Sequence, residues 1–182
     1  MSQHDLQKLL LQTAVCTIAC DGEIHEMEIA ELHSMVSQAA YFKDFSGQEM
    51  LDEMLESVKR KSAEFFHEYL ANLKLADLSP VQELLVLEVL LRIVYADERC
   101  DENEALFFQL VRSRMRLRDE MVVQRFGQIT FMSDDSDSNY IDKNETVGLS
   151  KLLKKIGDIQ LKVPEIEVAE KVITADMDGQ EG

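Results

Sequence analysis

The chain has 182 residues, 46% of them hydrophobic, which suits one folded domain with its own core and excludes a disordered polymer. A formal net charge of −16 repels phosphate backbones and anionic lipid, so direct nucleic-acid or acidic-membrane binding is disfavoured, while cations and basic proteins are suitable partners. Seven glycines and two prolines leave few breaks among abundant Leu, Glu, Lys, Gln and Met, which predicts an all-α fold: a single helical bundle of roughly seven to nine helices.

The three cysteines lack close paired spacing and fit reduced thiols in a cytoplasmic protein better than a disulfide framework. The N-terminal stretch, with Asp5 and Lys8 and no small-residue cleavage site, does not read as a signal peptide. The most apolar run, Val81 to Ala96, carries Glu83, Glu88 and Arg92, so no transmembrane segment is expected.

In chain order, a first helix is expected from a cap at Ser2, with Asp5 in its first turn, to Cys20. A second runs from about His25 to Ala40, burying Ile29, Leu32, Met35, Val36 and Ala39. Ser46-Gly47-Gln48-Glu49 has capping-box spacing and opens a helical stretch to Ala76 that breaks around Lys59 to Ser62. Ser79-Pro80-Val81-Gln82 is a strong start signal. The helix it opens is apolar on nearly every side and is expected to be the most buried. Another spans Asp101 to about Met115, with Phe107, Phe108, Leu110 and Val111 inward and Arg112, Arg114, Arg116 and Arg118 as a basic outer stripe. A further helix is expected over Asp119 to Met132, then a polar loop, Ser133 to Asn139. The last core helix runs from Asp142 to Ile156, which gives a domain over 1–157 and an extension with an acidic tail over 158–182.

The chain repeats itself. Ala19-Cys20-Asp21-Gly22-Glu23-Ile24-His25-Glu26-Met27-Glu28 returns as Tyr95-Ala96-Asp97-Glu98-Arg99-Cys100-Asp101-Glu102-Asn103-Glu104, each with a Glu seven residues after its first Asp. At this offset of 76 residues, Leu11, Val15 and Ile18 fall on Leu87, Leu91 and Val94, and Leu32 and Met35 fall on Phe108 and Val111. Each copy is an apolar helix, a short acidic loop and an amphipathic helix. A degenerate third copy matches Ile141-Asp142-Lys143-Asn144-Glu145 to Cys100 through Glu104, with its leading Asp displaced to Asp137.

A carboxylate at a helix C-terminus meets the negative pole of the macrodipole and calls for compensation. For Asp21 and Asp97 this is either an Asx-type hydrogen bond fixing the turn or a cation shared with Glu28 and Glu104. Glu104 and Glu145 also stand at capping-box spacing from Asp101 and Asp142, whereas His25 replaces the cap in the first copy and leaves Glu28 freer. Oxygen donors suit Ca²⁺, Mg²⁺ or Mn²⁺. Ile24, Cys100 and Ile141 share an apolar mid-loop position expected to plug into the core, and Cys20 reads as a small buried hydrophobe. Cys16, Cys20 and His25 form an incomplete zinc corner. Asp134 to Glu145 has the length of an EF-hand loop but lacks its ligands at the third and fifth positions and its glycine. Phosphate loops, nucleophile elbows and His-Glu-x-x-His runs are absent, so no enzyme is expected.

The run Ala19-Cys20-Asp21-Gly22-Glu23-Ile24-His25-Glu26-Met27-Glu28, with its second copy at Asp97 and Glu104, resembles the signature of the tellurite-resistance TerB family, also seen in the N-terminal region of the membrane-anchored co-chaperone DjlA. The resemblance covers Leu6 to Ile156. It implies an all-helical, internally symmetric, non-enzymatic domain that binds divalent metal through clustered acidic residues, takes part in stress responses and associates with membrane-bound or multiprotein partners. Carried over by position, the metal candidates are Asp21, Glu28, Asp97, Glu104, Asp137 and Glu145. Glu98 stands where the motif has Gly, and Ser138 takes the aligned Asp position of the third copy. The alternatives are a purely structural acidic interaction domain that docks a basic protein, and an acidic nucleic-acid mimic.

Overall fold

The computed structural model describes residues 1–96 and 101–129, and within them the protein is helical. Seven α-helices follow one another among the described residues: α1 (Gln3–Ala19), α2 (Glu26–Gln38), α3 (Gly47–Arg60), α4 (Ser62–Leu75), α5 (Pro80–Val94), α6 (Glu102–Ser113) and α7 (Asp119–Phe126), with a 3₁₀ turn at Ala40–Phe42. The starts at Ser2 and Ser79 are full capping boxes. Ser2 Oγ accepts from Asp5 N at 3.1 Å while Asp5 Oδ2 accepts from Ser2 N at 3.2 Å, and Ser79 with Gln82 does the same at 3.3 and 2.9 Å.

The central helix is α1, not α5. It packs against α2, α3, α4 and α5, and from Leu9 to Ala19 every residue is buried. On α5, Leu84 and Leu85 are only partly covered and Val81 is exposed. Four polar side chains hid this from the sequence. Thr13 Oγ1 donates to Leu9 O at 2.9 Å, its hydroxyl meets Tyr69 Oη of α4 at 2.9 Å, and Thr17 Oγ1 donates to Thr13 O at 2.7 Å. Gln7, 4% exposed, donates through Nε2 to Tyr41 O and Lys43 O at 3.0 and 3.2 Å; Gln12 is buried as well. Hydrogen-bonded in this way, such groups can enter a core that an unpaired polar group could not.

Three further expectations change. Ser46 stands at the start of α3 but caps no N–H with its hydroxyl. Arg112, Arg114, Arg116 and Arg118 form no helical stripe, because α6 ends at Ser113, just after the first of them. Instead Arg112 turns inward, donating from Nη2 to Leu117 O and, at 2.8 Å, to Asp119 Oδ1, while Arg116 reaches Asp77. α7 stops at Phe126, where Gly127 takes φ +77°, a conformation that glycine adopts without strain. The break at Lys61 between α3 and α4 is as expected.

The repeat is built into the packing. α2 and α6 begin 76 residues apart, at Glu26 and Glu102, and Leu11, Val15 and Ile18 are buried as their counterparts Leu87, Leu91 and Val94 are. The repeat also aligns Gln7 with Glu83, both buried. Where Gln7 donates to the connector after α2, Glu83 accepts from the connector after α6: Arg116 N lies 3.0 and 3.1 Å from its two oxygens and Leu117 N lies 2.9 Å from Oε2. One position thus performs one task, clipping the following loop to the first helix of its half, with opposite hydrogen-bond polarity. Glu83→Gln should therefore lower stability by roughly 1–3 kcal/mol, because an amide offers one acceptor and turns its NH₂ toward donors. Gln7→Glu should cost more, since it sets a carboxylate against two carbonyl oxygens; urea midpoints of the two variants check both the loss and its order.

Candidate functional site

The acidic corner of the first half starts where α1 ends. Gly22 takes φ +85°, its N–H donates to Ala19 O at 3.2 Å, and Asp21 Oδ1 accepts from Glu23 N at 2.8 Å. This Asx turn fixes the bend. Ile24 plugs the core at 4% exposure, as its position in the motif predicts. His25 then caps α2 by position, and Glu28 Oε2 accepts from His25 N at 2.9 Å. Glu28 is therefore not left freer by the missing Asp: it is 2% exposed and closes its own helix.

At the second corner the start of α6 repeats the cap. Glu104 Oε2 accepts from Asp101 N and Asp101 Oδ1 accepts from Glu104 N, both at 2.8 Å, and Glu104 is buried. Asp97 lies outside the described residues, as do Cys100, Asp137, Ile141, Glu145 and the EF-hand-length loop.

The two corners lie within electrostatic reach of one another. Burial pushes the Cys20 thiol well above its ordinary range, and the carboxylates of Glu104, Asp21, Asp101 and Glu28 push it further, so charges of both halves act on one buried sulfur. Burial also raises Asp21; the Glu23 N–H opposes the shift, the Asp101 carboxylate adds to it, and His25, whose Nε2 lies 3.9 Å from Asp21 Oδ2, opposes it. Asp101 is the residue that sequence reasoning missed. It was visible as a cap and as the counterpart of His25, but its approach to Asp21 depends on how α1 and α5 pack.

The zinc corner does not form. Cys16 and Cys20 are both fully buried, burial raises both thiols, and Cys20 Sγ donates to Thr17 O at 3.1 Å. Thiolate, the form that binds zinc, is disfavoured there. Among the described residues, no three His, Cys, Asp or Glu side chains converge to hold a metal ion. Asp21, Glu28 and Glu104 each commit an oxygen to a backbone N–H. The described donors are hard oxygens, which fits Ca²⁺, Mg²⁺ or Mn²⁺, and Asp101 and Glu23 add negative charge at Asp21 while His25 opposes it.

That crowding has a sign. Because the folded state raises the Asp21 carboxyl, the native protein holds more protons than the unfolded chain between the ordinary value of 3.8 and the raised one, and stability falls as pH rises through that window. Asp21→Asn keeps the Oδ1 acceptor for Glu23 N and removes the charge. In chelator-treated protein it should raise stability at pH 7 by roughly a few tenths of a kcal/mol, a gain that disappears below that window; thermal melts at pH 3.5 and pH 7 measure both effects.

Comparison with curated proteins and with solved structures gives no match. The sequence model of the family described as Tellurite resistance protein TerB matches residues 9–124, which is more than half of the chain and includes both acidic corners. The protein belongs to the TerB family.

Proposed function

We propose that this TerB module is a non-enzymatic, divalent-cation-responsive scaffold of the tellurite-resistance type, in which a cation drawn to the joined corners stiffens the contact between the two halves. The observation that carries the reading is the raised carboxyl of Asp21 beside Asp101, a site whose negative charge is relieved by a proton or a cation. Asp21, Glu28, Asp97 and Glu104 are the residues assigned to hold the ion, with Asp137 and Glu145 as its third-copy counterparts. The ion supplies charge neutralisation, and the protein supplies the fixed bend at Gly22, the caps that orient Glu28 and Glu104, and the burial that strengthens the field. The domain so defined is residues 1–157, the segment 158–182 is an extension, and the module works in the cytoplasm. Its partner is a protein, basic or membrane-associated. Among the described residues no helix is long and apolar enough to cross a membrane.

The cap hydrogen bonds of Glu28 and Glu104 favour a second reading, in which the motif carboxylates only hold the corners and the acidic surface docks a basic protein. Melting separates the two. If a cation binds the folded protein alone, a concentration 100 times its Kd raises stability by about 2.7 kcal/mol. The expected result is a rise in Tm with Ca²⁺, Mn²⁺ or Mg²⁺ that Asp21→Asn with Asp97→Asn abolishes. A Tm indifferent to all three ions removes the cation, and salt-sensitive capture of a basic protein would then support the second reading.

A further inference from the structure

The two halves hold their amphipathic helices by different means. At the offset of 76 residues α2 matches α6 position for position, with Glu28 on Glu104, Leu32 on Phe108 and Met35 on Val111, all of them buried. Two places on the same face differ. α6 buries Phe107 and Leu110 there, whereas α2 carries Glu31 and Ser34, each only partly covered. The joints to the opposite half differ accordingly. Phe107 sets its ring 5.6 Å from that of Phe66 and 6.0 Å from that of Tyr69, so α6 meets α4 through aromatic rings inside the core. α2 meets α5 through an ion pair, Glu31 Oε1 accepting from Arg92 Nε, with the two side chains 27% and 37% exposed and therefore open to screening by salt. The repeat sets Arg92 on Cys16, which is fully buried on α1.

We infer that α2 opens before α6 does, by local unfolding, and that the Glu31–Arg92 pair is the latch that keeps it closed against the second half. A helix with fewer buried apolar side chains and a half-exposed polar joint lies at the low end of local stability, and α6, with the apolar joint, lies above it. One group at the latch also gains from opening: Tyr41 Oη is buried beside the pair without a hydrogen-bond partner, and water would reach it. The opening unit has structural ends. Gly22 precedes it at φ +85°, and Gln7 holds the backbone beyond it at Tyr41 O and Lys43 O. Further ties of α2 run to its own half, where His33 Nδ1 lies 2.9 Å from Gln48 Oε1 and Val36 packs on Gly47 so closely that a Cβ there would come within 2.6 Å of Val36 Cγ1. The ion pair fastens it to the opposite half. Because His25 and Glu28 close the start of α2, opening it takes apart the first acidic corner, and the latch thereby governs how long the two corners stay joined. That consequence rests on the proposed function; the latch itself does not, since it needs no bound ion.

Amide hydrogen exchange of the full-length, chelator-treated protein tests the latch, with Leu32 and Met35 of α2 read against their counterparts Phe108 and Val111 of α6. In wild type the α2 amides should exchange faster, and with less dependence on added urea, than the α6 pair. Arg92→Gln should speed Leu32 and Met35 roughly two- to fivefold, the size expected of a half-exposed ion pair, and leave Phe108 and Val111 unchanged. NaCl at about 1 M should do the same to wild type and nothing to the variant. Glu31→Leu with Arg92→Met, which makes this joint apolar like the other, should bring the α2 amides toward the α6 rates and abolish the salt response. Exchange at one common rate in both helices, an acceleration by Arg92→Gln shared by α2 and α6, or α2 rates indifferent to salt would each overturn the inference. The salt comparison uses the wild-type chain, so a variant that fails to fold leaves the test intact. A Tm indifferent to divalent ions would remove the proposed cation and leave these outcomes as they are.

Discussion

The packing of α1 against α5 is the contact on which the remainder depends. These are the equivalent helices of the two halves, and their inward faces are aliphatic at matching positions: Leu11 with Leu87, Val15 with Leu91, Ile18 with Val94. All six are buried, and burial of each such side chain contributes on the order of 1.5–3 kcal/mol. Bringing the first helices of the two halves together carries the corners that follow them into one neighbourhood. The Asp101 carboxylate of the second half then acts on the Asp21 carboxyl of the first.

The local chemistry of the corners then limits what they can do. Among the described residues, three motif carboxylates already serve the backbone: Asp21 the bend, Glu28 and Glu104 the helix starts. These bonds fix the orientation of the carboxylates and hold Asp21 in a partly desolvated setting. Burial first, and the Asp101 carboxylate after it, raise the Asp21 carboxyl. A structure that only needed to turn a corner could have used Asn at Asp21, because the Asx turn asks for an oxygen acceptor and not for a charge.

Much of this was legible in the residues. The repeat, the Ser2 and Ser79 caps, the break at Lys61 and the buried Ile24 are consequences of spacing and local hydrogen bonding, which sequence carries directly. The rank of the helices was not, because Gln7, Gln12, Thr13 and Thr17 make α1 look half-solvated until their internal partners are known. Glu28 was misjudged for a related reason: the box at α2 was read through the residue at its cap, whereas the bond that forms uses the His25 backbone N–H, which any residue there except proline provides. The meeting of Asp21 with Asp101 could not be read at all, since it joins residues of different halves through helices whose relative placement the local sequence does not encode. The family match covers both corners and bears on the fold; the use to which the cluster is put rests on the electrostatics of those few side chains.

The joining of the corners is open to one direct measurement, a carboxyl-carbon NMR titration of Asp21 in chelator-treated wild type and in Asp101→Asn, a substitution that retains an N-cap acceptor for α6. The account predicts that Asp21 titrates above the ordinary aspartate value in wild type and moves back toward it when the charge at Asp101 is removed. An Asp21 titration that is the same in both proteins would mean that the two halves do not share their charge, and the cluster would have to be given up.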